Sequence, residues 1–231
     1  MPPPAQPPAH AHAKIAIIID DIGNDLAPLN ELLAIDVTLT FSVLPDLPHS
    51  RDAVDRLTRA GAPIMLHMPM EPVDFANQSP GPGALLLGMN ADQIQRRMED
   101  ALERVPGARG FNNHMGSAFT TDAAGMEVVL TVAKEHGLFF IDSKTTGGSV
   151  GLSLAKKLGV PAAERQVFLD HTPDPEIIRT QLKELARKAA KNGIAVGIGH
   201  PYPETIAVLK AELPALAAKG YEFVPVEEAV K

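Results

Sequence analysis

The sequence predicts an α/β protein, a single-domain, distorted or incomplete β/α barrel of about seven to eight parallel strands. Three observations carry that expectation. Apolar strand-like runs alternate with segments of helical periodicity along most of the chain, as repeated β-α units do. The first run, residues 15–19, is apolar without alternation, the pattern of a strand covered on both faces. Eight strand candidates occur in all, and no internal repeat points to a solenoid instead.

The strand candidates, in order, are 15–19, 37–43 (VTLTFSV), 63–67 (PIMLH), 109–113 (RGFNN), 138–142 (LFFID), 166–169 (QVFL), 194–198 (IAVGI) and 222–226 (EFVPV). The helices between them announce their ends. Ser50 is placed to cap the helix RDAVDRLTRA, and Gly61 to stop it. Asn90 with Gln93 makes a capping-box start, after which Ile94, Met98, Ala101, Leu102 and Val105 recur at helical spacing. Thr121 precedes a helix closed by Gly137. Asp174 followed by Pro175 is a cap with proline in the first turn, and Ile178, Leu182, Leu185 and Ala189 form a core stripe. The last helix, from about Glu204, contains Pro214 and should kink or break there.

Composition narrows the function classes. The 231 residues suit one large α/β domain, and a formal charge of −7 disfavours a non-specific nucleic-acid surface. Cysteine is absent, which excludes disulfides, thiolate catalysis and thiolate metal sites. No run of eighteen apolar residues exists to span a membrane. Residues 1–13, MPPPAQPPAHAHA, read as a Pro/Ala-rich tether before a domain at 14–231, and they lack the pattern of a signal peptide. His10 and His12 within it form a weak chelating pair or plain linker.

The acidic pair Asp20-Asp21, at the exit of the first strand, would in isolation read as the start of a solvated turn. Other strand ends change that reading. The third strand gives His67, the fourth His114, the fifth Asp142, the sixth Asp170 and His171, and the seventh His200. The C-terminal ends of parallel strands are where sites assemble in such folds. Imidazole and carboxylate without thiolate suit Zn²⁺ or a related divalent metal. A hydrolytic site of that kind needs about three protein ligands, an open position for a nucleophilic water, and separate groups to take and give protons. Two aspartates and three histidines supply those roles, one aspartate of the pair holding metal and the other handling protons.

The motifs IIIDDIG, LHMPMEP, FNNHMGS, FIDSKT, VFLD and GIGHPYPET, in this order, resemble the divergent polysaccharide deacetylase family, a branch of the carbohydrate-esterase deacetylases. The resemblance covers nearly everything after residue 14. It implies a distorted β/α barrel and metal-dependent removal of N- or O-acetyl groups from an acetylated carbohydrate, a polysaccharide or peptidoglycan-like glycan. It implies Asp20 as general base, Asp21 as metal ligand and His200 as general acid. It also carries an expectation of an extracytoplasmic location, periplasmic or cell-envelope. The wider family's two metal histidines stand as H-x-x-x-H, whereas here HMPME runs from His67 to Glu71. Pro72 takes Glu71 away from helical geometry, so His114 is expected as the third ligand. The arginine that would steady the base is not evident beside NNHMGS, where Asn112 and Asn113 stand.

Smaller signals complete the candidate set. Lys144 is expected to pair with Asp142 or Asp20 and tune them, with a Schiff-base lysine as the aldolase-type alternative. The loop SKTTGGS (143–149) leads into a helix near Val150 and reads as an ordinary Gly-rich loop. Glu71, Asn113, Asp142, Lys144, Asp170 and His171 form a supporting or substrate-binding set. Residues 75–90, with three consecutive leucines, either close over substrate or pack against the barrel wall. Two tyrosines and no tryptophan are few for a cleft that stacks sugars. Sparse aromatics and the missing arginine favour a second reading, a catalytically degenerate envelope protein that binds metal or glycan. The sequence fixes no oligomeric state.

Overall fold

The computed structural model describes residues 13–231; the proposed tether, with His10 and His12, lies outside them except for Ala13. Ala13 is buried, and its carbonyl accepts a hydrogen bond from Glu222 N. In chain order the elements are β1 (Lys14–Ile22), α1 (Leu26–Leu33), β2 (Thr40–Val43), α2 (Ser50–Ala60), β3 (Ile64–Met70), α3 (Ala91–Arg104), β4 (Gly110–Met115), α4 (Ala123–Glu135), β5 (Phe139–Asp142), α5 (Gly151–Leu158), β6 (Ala162–Glu164), β7 (Val167–Phe168), α6 (Pro175–Asn192), β8 (Ile194–Gly199), α7 (Pro203–Ala218) and β9 (Glu222–Phe223).

All pairings are parallel, and the strands lie in the order β6-β5-β4-β3-β2-β1-β8-β7, with β9 added to the start of β1. The two ends of this path are held by one extended segment. Its first half, β6, pairs with β5 and its second half, β7, with β8. Between them, Arg165 N donates to Asp142 O and Gln166 N to Val196 O, so consecutive residues bond to opposite edges. The result is the expected incomplete barrel with an irregular seam.

Strand alternation sorts the core into two parts. Ile15, Ile17 and Ile19 of β1 pack outward with Leu66, Phe111 and Phe140 against the helices. Ala16 and Ile18 face inward with Met65, Phe139, Ile141, Val196 and Ile198. The uninterrupted apolar run of β1 is therefore buried on both faces. Gly110 is required at the barrel's N-terminal end, because a Cβ there would lie only 2.3 Å from the Phe139 ring.

Most helix ends match their signals. The Asn90–Gln93 capping box is formed in full, Asp174 caps α6 by accepting from Glu176 N and Ile177 N, and Gly61 ends α2 in the left-handed region. Two details differ from expectation, at Ser50 and at Pro214. Ser50 is the first residue of α2 rather than its cap; its hydroxyl donates to Leu44 O and accepts from Leu47 N, tying the preceding loop. Asp122 caps α4, which follows Thr121 as expected. The helix α7 continues through Pro214 without a break. Helix α1 and strand β6 carry no strong periodic signal and emerge only in the structure.

Candidate metal centre and cleft

The inward parity of the strands selects the site. Following Ala16 and Ile18, Asp20 faces the interior; so do His67 after Met65, Asn112 and His114 after Gly110, Asp170 after Phe168, and His200 after Ile198. In a regular strand Asp21 would point the opposite way from Asp20. A bulge prevents this. Between Ile19 and Ile22, β1 spends three residues where β2, from Phe41 to Val43, spends two, and Asp21 has φ +57°. The extra residue turns the chain so that both carboxylates reach one site.

Asp21, His67 and His114 converge there. Nδ1 of His114 lies 2.9 Å from Asp21 Oδ1, Nε2 of His67 lies 3.2 Å from the same oxygen, and the two nitrogens are 3.3 Å apart. Donors bound at about 2.0–2.1 Å to a tetrahedral ion lie about 3.3 Å from one another. Asp21 Oδ1 is buried and receives no properly directed hydrogen bond despite these near neighbours. Three ligand atoms thus lie close enough together to share one divalent cation.

Asn112 organises the other side of this cluster. Its Oδ1 accepts from His67 Nδ1 at 2.8 Å and from Ser42 Oγ at 2.5 Å. Its Nδ2 donates to both oxygens of Asp20, at 2.9 and 3.1 Å, and to Ser143 Oγ at 3.1 Å. Bonding to Oδ1 places a His67 proton on Nδ1 and leaves Nε2 facing Asp21, the arrangement that orients metal-ligating imidazoles. Asn112 stands in the neighbourhood where the resemblance leads one to expect an arginine. A neutral amide there leaves Asp20 without a cationic hydrogen-bond partner.

The protonation balance follows from burial and proximity. Burial pushes the Asp20 carboxyl above its usual value, against the pull of His67 and His200. Burial would also raise Asp21, but His114 and His67 beside it hold it well below the carboxylate range. His67 would be lowered by burial, yet Asp20 and Asp21 raise it. In the metal-free cluster, protons on imidazole compensate the carboxylates; a cation would take their place.

His200 is held from behind by Asp170, which is buried. Asp170 Oδ1 accepts from His200 Nδ1 at 2.9 Å, and Oδ2 accepts from His200 N at 2.6 Å and Thr205 Oγ1 at 2.7 Å. Burial alone would lower the His200 pKa, but Asp170, with Asp20 and Asp21 beyond it, raises it to about 9. Nε2 of His200 is 3.9 Å from Asp21 Oδ2. A cleft of about 380 Å³ opens above Asp20, His67, His114 and His200 and is walled by Lys144, Arg165 and Phe168. Tyr202 stacks on His200 at 5.3 Å and is half-exposed.

The supporting candidates divide by parity. Asp142 continues the outward face of β5; it accepts from Lys144 N and Ser149 Oγ and so shapes the 143–149 loop. Asn113, also outward, accepts from Ser143 N and donates to Met115 O. Lys144 pairs with Glu164 at 2.7 Å, not with Asp142 or Asp20, because its φ of +55° carries it to the rim. Glu71 accepts from Leu87 N at 2.7 Å, and its backbone bonds Leu85, Ala118 and Phe119. Glu71 thus ties down the 71–90 loop, in which Leu85 is fully buried and Leu87 exposed. His171 is exposed, with its ring 6.3 Å from Phe168, and stands apart from the cluster. Sequence reasoning passed over Arg165, which had no strand-end signal, and saw in Asn112 only the absence of an arginine.

An open β/α barrel carrying an Asp–His–His group at its C-terminal mouth defines a deacetylase-like fold with a candidate metal centre. The divergent polysaccharide deacetylase family matches residues 17–230, and the chain belongs to that family. An uncharacterised Haemophilus influenzae protein is 39% identical over 203 residues, covering 88% of this chain and 72% of that protein. The uncharacterised Escherichia coli protein YibQ is 36% identical over 197 residues, covering 85% of this chain and 61% of its own length.

Among solved structures, an uncharacterised Agrobacterium tumefaciens protein superposes with a TM-score of 0.91 at 24% identity, covering 96% of this chain and 91% of that one. A family 4 carbohydrate esterase from Streptomyces lividans, in complex with acetate, gives 0.61 at 14% identity with 94% of each chain covered. A CE4 family pseudoenzyme from Bacillus anthracis gives 0.58 at 13% identity, covering 94% of this chain and 64% of that one. These likenesses establish the fold. Among the described residues no helix is long and apolar enough to cross a membrane.

Proposed function

We propose that this protein is a metal-dependent hydrolase that removes N- or O-acetyl groups from a carbohydrate, a polysaccharide or peptidoglycan-like glycan, outside the cytoplasm. The observation that carries the reading is the bulge in β1, which brings two adjacent carboxylates to one side of His67 and His114. A solvated turn would have no need of it, and bulges in parallel pairs are rare.

Asp21, His67 and His114 would hold the cation, and the all-N/O donor set without thiolate suits Zn²⁺. When bound, a divalent cation polarises the acetyl carbonyl and acidifies the attacking water. Asp20, whose burial raises its affinity for protons, accepts the proton from that water as its oxygen bonds to the carbonyl carbon. His200, kept protonated near neutral pH by Asp170, donates to the departing sugar nitrogen or oxygen as its bond to that carbon breaks. Acetate and a free amine or hydroxyl result.

Acetate release from N- and O-acetylated oligosaccharides by zinc-loaded protein tests this. Asp20→Asn should lose release by at least about 100-fold while retaining metal; undiminished release in that variant would refute the division of roles.

One observation favours a second reading, a metal- or glycan-binding envelope protein without turnover. Asp20 is held by the neutral Asn112 rather than by a cation. Bound metal and glycan-dependent stabilisation without acetate release from any substrate would select it.

A further inference from the structure

Arg165 occupies the seam of the barrel, between the half that pairs with β5 and the half that pairs with β8. Nε donates to Ser143 O at 2.7 Å and Nη2 to Lys144 O at 2.9 Å. The guanidinium carbon sits 4.6 Å from the centre of the Phe168 ring. One edge of the planar group is therefore spent on backbone carbonyls, and its face rests on an aromatic ring. The other edge, Nη1 with the second Nη2 hydrogen, carries no hydrogen bond among the described residues.

The charge is similarly uncommitted. Arg51, Arg104, Arg109, Arg179 and Arg187 each stand within ion-pair distance of a carboxylate. No described carboxylate pairs with Arg165, although it is half-buried and lines the cleft with Asp20 and the histidines. Burial pulls its pKa below the usual guanidinium value, with Asp20 and Asp142 acting against that pull from beyond hydrogen-bond reach. A cation removed from water without a partner is costly to keep unless it meets an anion at work.

We infer that Arg165 is the receptor for a carboxylate on the glycan, so that the acetylated substrate is an acidic one. This rests on the deacetylase reading of the cleft and names its substrate class. Two parallel N–H groups on a fixed edge match the two oxygens of a carboxylate. A phosphate, with about two negative charges, would call for a second free cation, and Lys144 beside it is already paired with Glu164. Asp20 and Asp142 nearby further disfavour the higher charge. The carboxylate has two chemical sources, a uronic acid in the chain or a lactyl ether on an amino sugar.

Titration calorimetry on the full-length, zinc-loaded protein tests this. The probes are an N-acetylglucosamine–N-acetylmuramic acid disaccharide and an N-acetylhexosamine–glucuronic acid tetrasaccharide, each beside its carboxyl-reduced counterpart. The wild type should bind at least one acidic form about 10- to 100-fold more tightly than its reduced counterpart, as expected of a charge-assisted pair. Arg165→Gln should lose that preference, and Arg165→Lys should keep a small part of it. Preference for the first probe assigns the lactyl source, and preference for the second the uronic acid. Melting curves and zinc uptake identify misfolding of Arg165→Gln, in which case Arg165→Lys decides. Equal affinity for acidic and reduced forms, binding of neither, or full preference in the folded variants would overturn the inference. Acetate measured in the same samples separates the two readings: preference without release keeps Arg165 as the carboxylate receptor and counts against deacetylation of these probes, and release without preference keeps the deacetylase and overturns the receptor.

Discussion

Asp170 grips His200 at two points, accepting from its backbone N at 2.6 Å and from its Nδ1 at 2.9 Å. Both contacts fix one ring orientation and leave Nε2 facing the cleft, so in the proposed reaction the pair would act as a single proton-donating unit. Replacing Asp170 with Asn keeps the shape but removes the charge that raises His200. The alkaline limb of acetate release should then move to lower pH, by about one unit or more, with the rate at pH 8 falling at least about two-fold. A pH–rate profile of the two proteins checks this. In the wild type the limb should fall at or below about 9, because a bound cation opposes a proton on its neighbour.

The same pair sets a pH dependence of stability in the metal-free protein. The folded-state pKa of His200 lies above its ordinary value of 6.5. The folded state therefore binds the proton more tightly, and this stabilisation is complete below about pH 6.5 and lost as pH rises through about 9. Urea unfolding of metal-free protein from pH 6 to 10 should show that decline, and Asp170→Asn should flatten it.

Asn112 has more partners in the site than a bystander would need. Asn112→Leu would leave His67 Nδ1 and Asp20 without their buried partners. A loss of stability of about 2–4 kcal/mol is expected, since each orphaned buried group costs about 1–3 kcal/mol. Zinc affinity should fall about 10- to 100-fold, as when other residues that orient a metal's ligands are changed. Denaturant melts and metal titration give the two numbers separately.

Away from the site, Gly110→Ala should destabilise by about 1–3 kcal/mol through overpacking against Phe139, with zinc affinity unchanged. Phe139→Leu in the same chain should recover part of the loss. Equal stability of Gly110→Ala and wild type would contradict the packing of the barrel's N-terminal end.

Much of this architecture is legible in the sequence because parallel strands buried on both faces are apolar runs, and all eight expected strands are present. What the strand-end inventory could not separate is which side of the sheet each polar residue faces. Asp142 and Asn113 share strand ends with the site residues yet lie on the outward parity, and they serve the adjoining loops. Counting alternate positions from Met65, Phe139 or Ile198 would have sorted them. Asp21 obeys no such count, because the bulge that redirects it is visible only against the β2 register. The α1 helix and the three-residue β6 escape for want of length, and Arg165 because it lies at the seam rather than at the end of a strand.

The central claim is that the bulged β1 brings Asp21 to His67 and His114 around one divalent cation. Diffraction from zinc-soaked crystals, recorded on both sides of the zinc absorption edge, tests it directly. One anomalous peak about 2 Å from Asp21 Oδ1, His67 Nε2 and His114 Nδ1, lost in His114→Ala, is the predicted result. No peak at that position, or zinc held there after both histidines are removed, would contradict the account.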